Sequence, residues 1–431
     1  MKFFWLYLSI FLANGLLYIA ILLFLYQRLQ TFMRKIVNQK VGCLFMLVLV
    51  LFASVTMIYR FVRDPTLIAQ QTTDLAAPTA TLPALASTKV GATATSVPTP
   101  CHAQSRDFEM GIAFPQWTPQ GYGGGDNEWL TELPAMHTRT AACWVEMPLL
   151  LNQSSLTDTA IAQGPSTPTL SAFTYGIQLA HAEGLHVFVA LLLQVDGSQP
   201  WAGAITFSTY AQEQQWFLHY WQAIQPYVQA AQLAGAEQLA IGTEEEWLQA
   251  NAPDSLWNGL ISNIHTIFSG TLTYDMNWTS LPKSPPNWMR NPDLQMIGIS
   301  AYLPQASTPA RFSEQQISNL WTKTALPELD AFAEKLGEPI FISELGYRNS
   351  ADALYQPWVS TSNAPADPQE QADAYAAALE NIATDTHILG SFFWGWDEAG
   401  AFDLKGSQAV QTIHSYYTSW RFSTLKRVAK A

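Results

Sequence analysis

Residues 239–244 read LAIGTE and residues 339–344 read PIFISE, so two short apolar runs each stop at a glutamate. Runs of this length and composition are typical of strands that are buried in a parallel sheet. A parallel (β/α)8 barrel places functional side chains just past the carboxyl ends of its strands. The two runs therefore predict such a barrel, with Glu244 and Glu344 at its functional end.

Strand-like runs alternate with amphipathic segments from about residue 106 onward. Eight runs are predicted as strands: Glu109–Phe114, Ala141–Met147, His186–Leu193, Gln238–Thr243, Thr271–Asn277, Met296–Ala301, Ile340–Ser343 and Ser391–Trp394. The segments between them predict helices, for example at Tyr210–Leu233, Ser313–Leu336 and Pro368–Ala383. Eight strands with intervening helices over roughly 315 residues predict an α/β fold, the (β/α)8 TIM barrel.

A doubly wound open sheet is the main alternative fold. It would carry a phosphate-binding glycine turn directly after the first strand. The glycine-rich segment at 121–125 lacks that pattern and lies too far from the strand, so it is interpreted as a flexible loop.

The first 63 residues contain no Asp or Glu and hold two apolar runs, Phe3–Tyr26 and Val41–Tyr59, each long enough to span a bilayer. The basic stretch between them is predicted to be cytoplasmic by the positive-inside rule, which leaves the C-terminal part extracytoplasmic. A start at Met33 would leave one signal-anchor helix and export the same domain. Arg60 and Arg63 after the second run disfavour a cleaved signal peptide.

Composition divides the chain into four parts. Residues 1–63 are the predicted membrane anchor, and residues 64–105, which are rich in Thr, Ala and Pro and lack aromatic residues, are predicted to be a disordered linker. Residues 106–420 form the predicted catalytic domain, and residues 421–431 form a mildly basic tail.

Charge and cysteine content limit the partners and metal sites that the sequence allows. Beyond residue 63 the chain has 14 basic and 34 acidic residues, a formal charge of −20. This charge disfavours nucleic acid and anionic surfaces as partners and suits a neutral substrate. A disulfide between Cys101 and Cys143 is permitted on the oxidising side of a membrane, and the sequence has no zinc-type Cys/His cluster.

The predicted strand ends carry carboxylates, amides and aromatic rings. These residues are Gln194, Asp196, Trp201, Glu244, Asn277, Trp278, Tyr302, Glu344, Tyr347, Trp394 and Trp396. Sugar hydroxyls need such polar partners, and the apolar faces of pyranose rings stack on aromatic rings. A glutamate after a strand is also favoured at a helix N-terminus, an interpretation that fits Glu245 and Glu246 well.

The domain resembles glycoside hydrolase family 113, a family of β-mannanase-type (β/α)8 barrels with a retaining mechanism. The resemblance runs from about Glu109 to Ala409 and depends most on two segments, Gly242-Thr243-Glu244 and Ser343-Glu344-Leu345-Gly346-Tyr347. Softer matches are Trp201-Ala202-Gly203, Trp216, Tyr220, Tyr274, Asn277-Trp278, Ile299-Ser300-Ala301-Tyr302 and Phe393-Trp394-Gly395-Trp396.

The resemblance implies that Glu244 is the acid/base, that Glu344 is the nucleophile and that Tyr302 hydrogen-bonds Glu344. Three departures concern the substrate: Thr243 stands where related families usually have Asn, Glu245 stands where Leu is usual, and Gln194 stands where a Lys-Pro pair is expected. The acidic side chains of residues 245–246 would either raise the pKa of Glu244 by repulsion between like charges or point to solvent.

We therefore expect a membrane-anchored, retaining β-glycosidase that needs no metal or organic cofactor. Trp278, Trp394 and Trp396 would stack on sugars, and Gln194, Asp196 and Asn277 would contact hydroxyls. Two alternatives stay open: a carbohydrate-binding barrel that has lost catalysis, and a hydrolase of the cell's own envelope glycan.

Overall fold

The structure is a computed structural model that describes residues 101, 108–123, 128–197, 201–396 and 400–428. All of them belong to the second of two compact units, residues 95–431. The predicted membrane segments, and the predicted linker apart from Cys101, lie outside the described residues. Within the described ranges, none of the helices combines the length and apolarity that crossing a bilayer requires.

Eight parallel strands form one closed barrel. They are β1 (Glu109–Ala113), β2 (Trp144–Gln153), β3 (His186–Val195), β4 (Gln238–Thr243), β5 (Thr271–Asn277), β6 (Met296–Ser300), β7 (Ile340–Leu345) and β8 (Ile388–Phe393). Each strand pairs in parallel with the next, and β1 pairs with both β2 and β8. A short strand at Ile161–Ala162 adds to the end of β2 in antiparallel orientation. The predicted barrel of eight strands is thus confirmed.

Helices connect the strands along the chain. They are α1 (Glu128–Thr140), α2 (Leu170–Ala182), α3 (Tyr210–Ala234), α4 (Glu246–Asn251), α5 (Asp254–His265), α6 (Glu314–Leu320), α7 (Leu326–Leu336), α8 (Pro368–Ile382) and α9 (Ala409–Val428). The helix predicted at Ser313–Leu336 is α6 and α7 joined by a π-helical turn at Trp321–Ala325. Helix α9 continues through residues 421–428, which the sequence predicts to be a tail.

Sequence signals set the helix ends. The hydroxyls of Thr169 and Thr209 accept hydrogen bonds from the first-turn amides of α2 and α3. Helices α3 and α7 each end at a glycine in the left-handed conformation, Gly235 and Gly337, as expected for a residue without a Cβ.

The barrel interior holds its own small apolar cluster. Phe188, Phe341 and Phe392 pack together there with Ala190 and Ala240. The ring centroids of Phe188 and Phe392 lie 5.0 Å apart, and those of Phe188 and Phe341 lie 5.6 Å apart. This layer fills the barrel below the carboxyl ends of the strands, as close packing requires of a structure with no pore.

A disulfide joins Cys101 to Cys143, just before β2, across 42 residues of sequence. In the chain-entropy account, closing a loop of this size removes unfolded-state freedom that corresponds to about 4 kcal/mol. The disulfide ties the described start of the domain to the barrel.

Gly111 tests how tightly the interior layer is packed. A Cβ at this position would lie 2.2 Å from the ring of Phe392, so Gly111→Ala is expected to lower the free energy of unfolding by about 1–3 kcal/mol. Gly259, exposed on α5, has open space around it, and Gly259→Ala is expected to stabilise by about 0.5–1 kcal/mol. Denaturant midpoints of both variants check this. An unchanged midpoint for Gly111→Ala would mean that Phe392 does not press against β1.

Candidate active site

A cavity of about 710 Å³ opens at the carboxyl ends of the barrel strands. Both Glu244 and Glu344 line it, although they are 100 residues apart in the chain. Of the other predicted site residues, Trp201, Asn277, Trp278 and Tyr302 also line it.

Each of the two strands that carry a glutamate gains one residue against its neighbour just before that glutamate. In β7, Phe341 lies opposite Gly298 and Glu344 lies opposite Ser300, so three steps along β7 match two along β6. Side chains alternate between the two faces of a strand, and Phe341 faces the barrel interior. Without the extra residue Glu344 would face the outer helices, and the bulge turns it to the inner face.

Strand β4 contains the equivalent irregularity. Ala240 lies opposite Thr273 and Thr243 lies opposite Asp275, so β4 again gains one residue. Glu244 then adopts a left-handed backbone conformation with φ of +62°, which is uncommon for a residue with a side chain. Its amide donates to the carbonyl of Asp275 at 2.8 Å, which fixes this turn. Such backbone strain is frequent at functional sites.

Both carboxylate oxygens of Glu244 accept hydrogen bonds. The indole N–H of Trp201 donates to Oε2 at 2.8 Å, and the amide Nδ2 of Asn277 donates to Oε1 at 2.8 Å. Burial raises the pKa of Glu244, and these donors oppose the rise. A carboxyl with a raised pKa and a fixed orientation is suited to donate a proton.

Glu344 has a different environment. The hydroxyl of Tyr302 donates to Oε1 of Glu344, and the amide of Ala301 donates to the carbonyl of Glu344 at 2.7 Å. Burial and the nearby charge of Glu344 raise the pKa of Tyr302 well above its usual range, so Tyr302 keeps its proton and acts as a donor. Tyr302 thus supplies a hydrogen-bond donor to one carboxylate oxygen of Glu344.

Three more carboxyls are buried close to the site: Glu146, Glu245 and Asp275. Burial raises the pKa of all three, to about 7 for Glu245, and the charge of Glu344 raises the pKa of Glu146 and Asp275 further. Burial therefore favours the protonated form of these three carboxyls. Glycines make room for two of them, since a Cβ on Gly242 would lie 2.6 Å from Glu245 and a Cβ on Gly298 would lie 2.3 Å from Asp275.

Glu246 differs from its two neighbours because it is paired. Lys283 Nζ lies 2.6 Å from its Oε1, which also accepts from the hydroxyls of Thr279 and Ser280. Burial opposes the effect, but these donors lower the pKa of Glu246. Its charge adds to the rise in the pKa of Glu244 after burial, which is the effect expected from the acidic run.

The other predicted site residues do not line this cavity. Gln194 and Asp196 are exposed, and β3 runs two residues further than predicted, so that Gln194 lies within the strand. Tyr347 is buried, and its hydroxyl donates to the carbonyl of Leu303 at 2.6 Å. Trp396 is buried with Arg139 5.1 Å above its ring, and Trp394 is half-buried with its ring centroid 6.3 Å from that of Trp117.

The sequence analysis missed Trp358 and Thr279, which both line the cavity. Trp358 lies in the long segment between β7 and α8, and its ring centroid is 5.4 Å from that of Trp278. A single tryptophan in a polar loop carries no periodic signal. Its proximity to the strand ends depends on how the loop folds back.

Comparisons with known proteins agree on one family. The family profile of Glycoside Hydrolase Family 113 matches residues 121–416. A GH113 β-mannanase from Alicyclobacillus acidocaldarius, solved in complex with ManMIm, is 22% identical with a TM-score of 0.63, and the alignment covers 73% of this chain and 99% of that chain. A family 5 mannosidase from Rhizomucor miehei, solved with mannosyl-fructose, is 12% identical with a TM-score of 0.51. The alignment covers 74% of this chain and 94% of that chain.

A second solved GH113 β-1,4-mannanase is 21% identical with a TM-score of 0.62, and covers 73% of this chain and 99% of that chain. At these identities the solved structures show a shared fold. The search of curated proteins finds no match.

The raised pKa of Glu245 predicts a pH-dependent stability. Its folded pKa of about 7 exceeds the ordinary value of 4.5, so the folded state binds the proton more tightly and stability falls as pH rises from about 4.5 to 7. Glu245→Gln removes this loss and is expected to gain up to about 3 kcal/mol relative to wild type between pH 5 and pH 8.

Glu246→Gln is the matched control for this measurement. The lowered pKa of Glu246 contributes stability above pH 4.5 that is lost on acidification, so this variant is expected to lose stability at neutral pH. Denaturant unfolding of wild type and both variants across pH 4–8 tests the pair. Parallel pH curves for wild type and Glu245→Gln would show that Glu245 does not hold its proton in the folded state.

Proposed function

This chain belongs to glycoside hydrolase family 113, and on that premise we propose that it hydrolyses β-linked mannan with retention of the anomeric configuration. The observation that carries the proposal is the pair of glutamates in one cavity, Glu244 at the end of β4 and Glu344 at the end of β7. The two solved family 113 structures are β-mannanases, which supports mannan as the substrate class.

The two glutamates have environments that suit opposite roles. Glu344, ionised and steadied by Tyr302, attacks the anomeric carbon and forms a glycosyl ester as the bond to the leaving oxygen breaks. Glu244, protonated because burial raises its pKa, gives its proton to that oxygen. The leaving sugar then departs as a neutral alcohol.

The second half of the reaction reverses these transfers. The ionised Glu244 removes a proton from water while the water oxygen attacks the anomeric carbon. The ester bond to Glu344 breaks, and the carboxylate of Glu344 is restored. Trp201 and Asn277 hold both oxygens of Glu244, so the same carboxyl is oriented for both steps.

We also propose that the domain acts outside the cytoplasm, held at the membrane by the segment before residue 64. The apolar runs of that segment and its lack of acidic residues support an anchor. The disulfide between Cys101 and Cys143 supports an oxidising compartment, because such bonds are rare in the cytosol.

The Glu344→Gln variant tests the mechanism. The change keeps the size of the side chain and removes the nucleophile, so kcat on manno-oligosaccharides is expected to fall by about 1,000-fold or more. Glu334→Gln, exposed on α7, is the control and should keep wild-type activity. Assays use the full-length chain on manno-, gluco- and xylo-configured β-linked oligosaccharides, with the first product anomer followed by proton NMR.

Each result of this panel has a meaning. A first product with the β configuration supports retention, and the α configuration refutes it. Wild-type turnover by Glu344→Gln would refute the assigned nucleophile. Oligosaccharide binding without hydrolysis by the wild type would favour the carbohydrate-binding alternative, whereas inactivity without binding would favour an envelope glycan as substrate.

Location has a separate test. Cells that express the full chain are expected to keep it in the membrane fraction after alkaline carbonate extraction, because an apolar anchor resists that treatment. External protease is expected to digest the barrel domain in cells whose outer barrier has been removed. Release of the chain by carbonate, or protection from protease until lysis, would contradict the proposed anchor or its orientation.

A further inference from the structure

A buried arginine organises the loop that follows β7. Arg348 is 1% exposed and lies four residues after Glu344. Its Nη1 donates at 2.8 Å to the carbonyls of Gln356 and Val359. Its Nη2 donates to the carbonyls of Asp352 at 2.9 Å and Tyr355 at 2.8 Å. One guanidinium thus gathers four carbonyls of a single loop, which only the planar fork of arginine achieves.

The same loop is closed by a carboxylate. Asp352 Oδ1 lies 3.4 Å from Nη2 of Arg348 and accepts from the hydroxyl of Ser350 at 2.6 Å. The hydroxyl of Ser362 lies 2.8 Å from both carboxylate oxygens of Asp352. The loop is also tied to the segment after β6, since the amide of Ala306 donates to the carbonyl of Leu354 at 2.9 Å. A loop with this many internal bonds holds a fixed shape.

The fixed shape of this loop places the side chain of Trp358 at the cavity. It lies between Gln356 and Val359, the two residues whose carbonyls bind Nη1 of Arg348. Its side chain is nevertheless 43% exposed and lines the cavity. A large apolar ring that a rigid loop leaves exposed at a cavity is a feature of binding sites.

Trp278 extends the same apolar surface. The two rings lie 5.4 Å apart at an interplanar angle of 35°, which leaves no room for a sugar between them. They form one wall, on which the apolar face of a pyranose ring can stack. Trp278 directly follows Asn277, which binds the carboxyl of Glu244, so the wall begins next to the residue that orients this carboxyl.

We propose that Trp278 and Trp358 form the stacking wall for the sugar on the leaving-group side of the scissile bond, and that Arg348 is the positioning residue that holds Trp358 there. The inference rests on the proposed function, because the proton of Glu244 must go to the leaving oxygen. The ligand is a β-linked pyranose. Because of this wall, efficient cleavage requires that the leaving group be a sugar.

The test compares two substrates with the full-length chain. Mannotetraose has a sugar as leaving group, whereas β-mannobiosyl fluoride has only fluoride. Trp358→Ala is expected to lower kcat/KM about 10-fold on mannotetraose and to leave the fluoride unchanged, with Trp358→Phe between wild type and Trp358→Ala. Tyr210→Ala, which truncates an exposed ring at the start of α3, is the control and should change neither.

Arg348 is tested through non-additivity. Arg348→Lys keeps the charge but cannot bind four carbonyls, so it is expected to match the loss of Trp358→Ala on mannotetraose and to add nothing in the double variant. Ser362→Ala, which removes two bonds to Asp352, gives a milder version if Arg348→Lys does not fold. Additive losses would overturn the positioning role.

Two outcomes overturn the wall itself. Equal losses of kcat/KM on both substrates would mean that Trp358 contacts the sugar on the other side of the cleaved bond or only stabilises the fold. No loss on mannotetraose would mean that Trp358 does not contact the substrate. A wild type inactive on both substrates would refute the proposed function instead. Mannotetraose affinity in the Glu344→Gln background still tests the wall then, because Trp358→Ala should weaken binding about 10-fold and unchanged affinity would refute it.

Discussion

The register of the closed barrel is the constraint on which the site depends. Because β1 pairs with both β2 and β8, all eight carboxyl ends meet around one opening, and residues 100 positions apart come to line one cavity. Closure alone would not aim Glu344 inward. The extra residue in β7 between Phe341 and Glu344 shifts the alternation by one place, and β4 gains a residue between Ala240 and Thr243, shortly before Glu244.

The interior near these bulges is polar, and its electrostatics follow from burial. Carboxyls that are removed from water keep their protons unless donors or cations stabilise the charge. Burial outweighs the nearby donors at Glu245 and Asp275 and raises the pKa of both, whereas Lys283 and two hydroxyls lower the pKa of Glu246. Among three consecutive glutamates, the pKa of Glu244 and Glu245 is thus raised and that of Glu246 is lowered. The negative charge beside the cavity is confined to positions where a donor is provided.

The sequence predicted the strands well because a buried parallel strand is a continuous apolar run, and all eight runs are strands in the structure. It also placed Trp201, Asn277 and Tyr302 near the glutamates, and these three side chains bind them. The prediction was wrong for strand-end aromatic residues that pack inside the fold and do not face the cavity. Trp396 lies buried under Arg139, and the hydroxyl of Tyr347 donates to the carbonyl of Leu303. Composition alone does not reveal which face of the chain a ring occupies, nor where a bulge adds a residue.

Loops show the same limit more strongly, and they are where specificity is decided in this fold. The position of Trp358 depends on Arg348, ten residues earlier, and on carbonyl groups that every residue type possesses. Nothing in a side-chain pattern marks which carbonyls a buried guanidinium will collect. The strand ends supply the buried carboxyls, and the loop after β7 supplies an apolar surface beside them. Family membership therefore indicates the class of reaction more firmly than it indicates which sugar chain reaches the cavity of Glu244 and Glu344.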